Sequence, residues 1–347
     1  MYIISLPKDW VREMNIKPGD PLTISKGENM SLTISPKGLG ITGGVSEAEL
    51  LISPKDDVDS IARKIIALYL VGYKTIRIFT KGEPIIPACR AAIKEIVKKK
   101  FVGTEVVSDS SKEITLQVLL SFPELSVSSS LRRMWTITTS MHKDILLALK
   151  DLDYELAQTV IELDDEIDRF ELHIIRQLKT AVMNPRILSE IGLKTPRDSL
   201  GFRVVTKSVE RIADNAANIA EIVLRLKSPL EPKLFNKISD LSNFANSVFE
   251  GSIKSLLERN YGLADYVIAK GKIITVSMEN EFLKLVSKGY NPEAILNSRL
   301  ILESVKRMAE YTTDITEVVL NLTVEKASSS KNSHDGGKRF VGNKNKY

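Results

Sequence analysis

The stretch VERIADNAANIAEIVL, residues 209–224, decides how the C-terminal half of this chain is interpreted. On a helix of about 100° per residue, its apolar positions fall on one side and most of its acidic positions on the other. A second stretch, VKRMAEYTTDITEVVL at residues 305–320, matches it at a spacing of 96 residues. Upstream, LAQTVI at 156–161 matches LADYVI at 263–268. This self-similarity predicts that one unit of three helices occurs twice.

The residues before the duplication show two other patterns. Residues 1–45 contain short β-prone runs, one short amphipathic helix and a KPGD turn, which predicts a small β module. Because so few residues bury little apolar area, we expect this module to pair with its own copy in a homodimer. Residues 46–123 alternate strand and helix patterns, which predicts a small α/β domain, a spacer or a sensor, without a glycine-rich phosphate loop. In this region we expect one helix to end at Gly72, PACRAAIKEIVKKK to form a second helix and TEVVSD to form a strand.

The remaining residues are helical and then polar. Breaks at Gly and Pro divide the helical part into six helices, and hence into two three-helix bundles at 124–228 and 229–325. Thr195-Pro196 and Asn291-Pro292 each predict an N-cap with proline in the first turn of the helix. Residues 326–347 form a Ser, Gly and Asn-rich tail that we expect to be disordered. This tail contains six basic residues and one acidic residue, which accounts for the whole net charge of +5. The net charge therefore does not indicate a DNA-binding protein.

The composition indicates an ordinary soluble protein. Of the 347 residues, 43% are hydrophobic and 27% are charged. No apolar run approaches the roughly 18 to 20 residues of a membrane helix, and the first residues have no signal-peptide pattern. A single cysteine, Cys89, is typical of a reducing compartment. We therefore expect a cytoplasmic protein that is not inserted in a membrane.

Acidic residues line one face of two successive helices in the first bundle. If these helices are antiparallel neighbours, their carboxylates converge and offer oxygen ligands to iron, manganese, magnesium or zinc. The alternative is a solvated face with Lys and Arg neighbours, because carboxylates at this spacing are common on helices. The predicted metal ligands are Asp164, Asp165, Asp168, Glu210, Asp214 and Glu221.

The second copy changes this pattern. Lys306 stands where the first copy has Glu210, and Lys272 stands where it has Asp165. An ammonium group at a ligand position opposes cation binding. We therefore predict one metal-competent surface, in the first bundle, and a degraded or absent one in the second.

The acidic helices of the first bundle resemble those of a known family. VERIADNAANIAE together with VIELDDEID (residues 160–168) resembles the PhoU family of phosphate-signalling regulators, over about residues 127–322. The resemblance implies tandem three-helix bundles with an acidic motif on each third helix that can hold iron or zinc clusters. Glu210 and Asp214 match that motif, whereas Lys306 departs from it. The partner that the resemblance implies is the ATPase of a phosphate transporter or a signalling kinase.

A second resemblance covers the start of the chain. YIISLPKDWVREMNIKPGDPLTIS, residues 2–25, is similar to the AbrB/SpoVT swapped-hairpin module, a dimeric β-barrel that binds DNA in many members. The family pattern has one more strand before this run, which this sequence lacks. Two roles are possible for this module. It binds DNA phosphates through Lys8, Arg12 and Lys17, or it serves dimerisation alone.

The patterns together favour a non-enzymatic function. No serine or cysteine is arranged with a histidine and a carboxylate for nucleophilic catalysis. We expect a cytoplasmic, homodimeric regulator of phosphate uptake or phosphate signalling that docks partners through its helical half. The alternative is an AbrB-type DNA-binding transcription regulator whose bundles serve sensing and dimerisation. A third option, a metal-storage scaffold, would be favoured by two intact acidic sites.

Overall fold

The computed structural model describes residues 3–26, 31–36, 47–120, 124–182, 184–287 and 292–332. The described chain consists of a small β module, a small α/β region and a larger helical region. The fold class predicted from the sequence is therefore confirmed. The domain boundaries given above remain predictions.

The N-terminal module contains a short helix and a two-stranded hairpin. Helix α1 (Lys8–Glu13) buries no residue, and strands β1 (Leu22–Lys26) and β2 (Leu32–Pro36) pair antiparallel. Residues 3–7, before α1, are β-prone but form no strand, and residues 1 and 2 lie outside the description. A strand needs a neighbouring backbone, and in this single chain β1 and β2 pair with each other.

The α/β region is a four-stranded sheet with two helices. The strand order is β3-β4-β6-β5, with β3 and β4 parallel and the other pairs antiparallel. Gly72 ends α2 in the left-handed conformation at φ 113°, as the sequence predicts. The elements are β3 (Glu47–Leu51), α2 (Val58–Val71), β4 (Thr75–Phe79), α3 (Pro87–Lys100), β5 (Thr104–Asp109) and β6 (Glu113–Val118).

The helical region has one more helix than predicted. The additional α6 is a short helix at the Asn-Pro break, and its Ile187 and Leu188 are buried in the core, as is Ile191 directly after it. It escaped the sequence analysis because so short a helix shows too few turns for a periodic pattern. The helices described are α4 (Val127–Asp151), α5 (Tyr154–Val182), α6 (Pro185–Glu190), α7 (Pro196–Arg225), α8 (Pro232–Glu258), α9 (Tyr261–Ser287) and α10 (Pro292–Asn332).

The ends of the long helices can be compared with their sequence signals. Thr195 caps α7 in a capping box with Asp198, as its Thr-Pro signal predicts. The corresponding Asn291 before α10 lies outside the described residues. Helix α10 continues to Asn332, so the predicted tail begins as helix, and residues 333–347 lie outside the description.

Both helical copies share one hydrophobic core. This core runs from Val127 on α4 to Val319 on α10, and α7 packs against both α5 and α10. The α/β region has its own core, to which Leu172 of α5 also packs. Helices α2 and α3 therefore lie against α5 of the first copy. None of the described helices is long and apolar enough to span a membrane.

Candidate metal centre

Helices α5 and α7 place carboxylates from both elements in one site. Asp164, Asp168 and Glu171 follow one another at helical spacing on α5, and Glu210 and Asp214 do so on α7. One carboxylate oxygen from each of Asp168, Glu171 and Glu210 lies within 4.8 Å of the others. We call these five residues the acidic cluster.

The acidic cluster is not an ordinary solvated surface. Glu210 is only 6% exposed and Glu171 only 8%. Among the described residues, Glu210 Oε2 and Asp164 Oδ1 are buried and accept no hydrogen bond. Because a buried carboxylate oxygen without a partner is costly, the site has unused capacity for a cation or a donor.

Burial and crowding raise the pKa of two members of the cluster. Burial, followed by the negative charges of neighbours of which Asp214 is the strongest, raises the pKa of Asp164 to about 7. Burial and then the charges of Glu210 and Asp168 raise the pKa of Asp214 to about 6. The surroundings therefore lack enough positive charge to keep Asp164 and Asp214 ionised at low energetic cost.

Two basic residues of α7 supply part of the compensating charge. Lys207 Nζ donates to Glu210 Oε1 and lies 3.5 Å from Glu171 Oε1. Arg203 lies 3.6 Å from the same Glu171 oxygen. These contacts hold Glu171 and the Oε1 side of Glu210, and leave Glu210 Oε2 available.

A third basic residue comes from the α/β region. Lys100, the last residue of α3, donates to Asp168 Oδ2 at 2.5 Å and lies 3.6 Å from Asp165 Oδ1. Burial alone would lower the pKa of Lys100, but its hydrogen bond to Asp168 raises it above the ordinary value. The α/β region therefore reaches the acidic cluster through this lysine.

An arginine fixes the α/β region to the same helix. Arg176 of α5 is 3% exposed, and its guanidinium donates to the backbone carbonyl oxygens of Tyr69, Gly72 and Tyr73 at the end of α2. It also lies over the Tyr69 ring, 4.8 Å from its centroid. These contacts set where α3, and with it Lys100, meets α5.

Two of the six predicted ligands lie apart from the cluster. Asp165 faces Lys99 and Lys100 at 3.8 and 3.6 Å. Glu221 is exposed and lies 3.7 Å from Arg225 of its own helix. It lines a separate groove of about 230 Å³ that α10 closes on the other side. Seven residues separate Asp214 from Glu221, about 10 Å along the axis, which is too far for a shared ion.

In the second copy the equivalent position holds a paired lysine. Lys306 Nζ lies 3.1 Å from Glu279 Oε1 of α9 and 4.0 Å from Glu310 of its own helix. An ammonium group therefore stands where the first copy places Glu210. That only the first copy binds metal remains a prediction.

The predicted DNA-contacting residues are accessible. Lys8 and Arg12 lie one turn apart on α1, and both are exposed. Lys17 is also exposed, and its backbone N–H donates to Asp20 at 2.7 Å in the turn after α1. DNA contact by these three residues remains a prediction.

Sequence reasoning missed Glu171 and the two lysines. Glu171 lies three residues after Asp168 and seven after Asp164, so helical spacing could have placed it on the same face. Lys207 lies one turn before Glu210 and could have been found in the same way. Lys100 could not, because it lies more than sixty residues away in a different region.

Comparison with known families agrees with this geometry. The family model described as PhoU domain matches residues 131–223, which include α5 and the part of α7 that carries the acidic cluster. Residues 131–223 of this chain are similar to the PhoU domain. The resemblance inferred from the sequence is therefore confirmed, and the match ends before the second copy. A second family model, described as antidote-toxin recognition MazE, a bacterial antitoxin, matches residues 1–42.

Relatives named as PhoU homologs align over longer stretches of the chain than the family model does. A phosphate-specific transport system accessory protein PhoU homolog from Clostridium acetobutylicum is 24% identical over 206 residues, 57% of this chain and 91% of the relative. Its counterpart from Aquifex aeolicus is 32% identical over 130 residues, 35% of this chain and 54% of the relative. The crystal structure of PhoU from Pseudomonas aeruginosa aligns at 22% identity with a TM-score of 0.49, over 57% of this chain and 96% of that one.

Proposed function

We propose that this chain is a non-enzymatic regulator of phosphate uptake that docks a protein partner through its PhoU domain. Relatives named as accessory proteins of phosphate-specific transport support this role. The partner proposed is the transporter's ATPase or a signalling kinase, and the proposed location is the cytoplasm. The observation that carries the proposal is the acidic cluster within the matched residues, with Glu210 Oε2 buried and unpartnered.

The acidic cluster fits a divalent or trivalent cation. Its donors are all carboxylate oxygens, which suit iron, manganese, magnesium and zinc. Asp168, Glu171 and Glu210 would hold the ion, with Asp164 and Asp214 next to them. When bound, the ion would supply a positive charge that attracts an acidic group of the partner or phosphate itself. Lys207 donates to Glu210 Oε1, which leaves Oε2 available as a ligand.

The N-terminal module is proposed to join two chains. Ile3, Ile4, Ile24 and Leu32 are each more than half exposed, and α1 buries no residue. A module with so little buried apolar area is not stable alone. A second copy, whose strands cover these side chains, provides the missing core.

A transcription regulator is the second candidate function. The match of residues 1–42 to an antitoxin family and the exposure of Lys8, Arg12 and Lys17 favour it. In that case, binding to a promoter is specific and weakens steeply with salt, because cations released from DNA drive it. Promoter binding by the full chain and by a variant with Lys8, Arg12 and Lys17 changed to Ala decides between the candidates.

The metal and docking proposal is tested with one substitution and its matched control. Glu210→Gln removes a buried ligand, whereas Glu221→Gln removes an exposed glutamate of the same helix outside the cluster. We expect elemental analysis to find metal in the wild type and in Glu221→Gln, with at least a tenfold loss in Glu210→Gln. Recovery of the transporter ATPase on the immobilised chain should fall in parallel. Absence of metal from the wild type, together with unchanged partner recovery by Glu210→Gln, would refute the proposal.

A further inference from the structure

Helix α9 is apolar on two opposite sides. One side packs into the shared core through Ala264, Val267, Ile274 and Met278, all buried. The other side faces outward and carries four large apolar side chains that are between 51% and 65% exposed. We call the outward stripe the outer seam; it comprises Tyr266, Ala269, Ile273, Val276, Asn280 and Leu283.

The spacing of the outer seam is that of a coiled coil. Its members follow one another at intervals of 3, 4, 3, 4 and 3 residues, which places them at alternating a and d positions of a heptad. The stripe is about 27 Å long. Scattered exposed apolar residues need no explanation, but an unbroken heptad stripe of this length indicates a surface that packs against another helix.

The duplication shows that this face already serves as an interface in the first copy. At the offset of 107 residues between the second helices, Leu283 corresponds to Arg176 and Val276 to Arg169. Arg176 is buried against the end of α2, so the α/β region covers that part of α5. At both positions α9 is exposed in the described structure and carries an apolar residue instead of an arginine. It therefore fits an occupant of different chemistry.

We infer that the outer seam pairs with the outer seam of a second copy of this chain, as a parallel two-stranded coiled coil. In the parallel arrangement each a residue faces itself, so Ile273 meets Ile273 and Asn280 meets Asn280. A single Asn at an a position specifies two strands and their register, because its amide is satisfied by the same amide opposite. An antiparallel arrangement would place Asn280 against Ala269 and leave its amide unpaired.

Charges beside the seam complement those of a second copy. In parallel pairing, Asp265 faces Lys270 of the other chain, and Glu279 faces Lys284. Each pair occurs twice because the arrangement is two-fold symmetric. Glu279 and Lys284 also contact Lys306 and Glu281 of their own chain, but their side chains stay 64% and 60% exposed. They remain accessible to the second copy.

This interface goes beyond the proposed function, because it uses neither the acidic cluster nor residues 1–45. Its test is disulfide capture in the full-length chain. Tyr266→Cys places thiols at an a position that faces itself and keeps Asn280, and mild oxidation should link most of the protein into covalent dimers. Ser247→Cys, at an exposed position on α8, is the matched control, with at least tenfold less dimer expected. Native Cys89 is 2% exposed and is the same in both variants.

A second substitution separates seam pairing from accidental proximity. Ile273→Glu in the Tyr266→Cys chain places two carboxylates opposite each other and should reduce covalent dimer at least tenfold. Because Ile273 is half exposed, the helical circular dichroism should stay unchanged, which shows that the chain still folds. Dimer yield no higher than that of Ser247→Cys, or unaffected by Ile273→Glu, overturns the inference. Capture that requires Ala269→Cys together with Asn280→Cys would indicate antiparallel pairing and overturns it as well.

Discussion

Removing the ammonium group of Lys100 should strengthen metal binding at the acidic cluster. Lys100 Nζ is 2.5 Å from Asp168 Oδ2, and a bound ion would need an oxygen of the same carboxylate. The lysine and the ion therefore compete for the same carboxylate and repel each other. Lys100→Met keeps a chain of similar length and removes the charge.

The size of the effect follows from the separation of the two charges. An ion on the Asp168 carboxylate lies about 4 to 5 Å from the ammonium. At that distance a divalent ion and an ammonium repel by about 2 kcal/mol in water and about 8 kcal/mol at an effective dielectric of 20. The Lys100 side chain is 30% exposed, so the site lies between these limits. We expect Lys100→Met to bind Mn²⁺ or Zn²⁺ more tightly by at least about 2 kcal/mol, which is at least about a 30-fold lower Kd.

The assay is titration calorimetry on protein stripped of metal with a chelator. Lys98→Met is the matched control, because Lys98 is an exposed lysine in the same last turn of α3. It should change the Kd by less than threefold, since the charge it removes is solvated and more distant. The reasoning is refuted if Lys100→Met binds the ion no more tightly than the wild type, or if Lys98→Met gives the same gain.

Three further outcomes follow from the structure. Arg176→Met leaves three backbone carbonyl oxygens of the α/β region without their donor. It should lower the free energy of unfolding, measured by urea denaturation, by about 3 kcal/mol. Lys179→Met, at an exposed position of the same helix, should leave that free energy unchanged. Thr195→Ala removes the capping box of α7 and should cost about 1 kcal/mol in the same assay. Because burial raises the pKa of Asp164 to about 7, the metal-free chain should melt at a higher temperature near about pH 5 than near about pH 8. Asp164→Asn should reduce this difference in melting temperature, whereas Glu221→Gln should not.

The sign of the pH effect follows from the direction of the pKa shift. The folded-state pKa of Asp164 is higher than that of an unfolded aspartate, so protonation stabilises the folded chain at low pH. This contribution is lost as the pH rises through about 7. A melting temperature that rises over this range in metal-free protein would contradict the assignment. Equal unfolding free energies for Arg176→Met and Lys179→Met would contradict the role given to the buried arginine.

Local patterns predicted most elements of the fold. The runs PACRAAIKEIVKKK and TEVVSD coincide with α3 and β5 at both ends. Thr195 and Gly72 mark helix ends because capping depends on a few adjacent residues. Two local predictions failed for opposite reasons. Residues 3–7 have strand propensity but form no strand, because no neighbouring strand of this chain pairs with them. Helix α6 was not predicted, because it is too short to show a periodic pattern.

The sequence alone determined which acids share a face on each of two helices of the first copy, and it predicted that the helical half is a duplicated trio. Both inferences rest on spacing along a helix, and spacing fixes which side chains share a face. Only the tertiary structure decided which acids form the site, since it joins Glu171 to the acidic cluster and leaves Glu221 in another groove. It also brought Lys100 to Asp168, because contacts between regions depend on how whole surfaces pack and not on any local pattern.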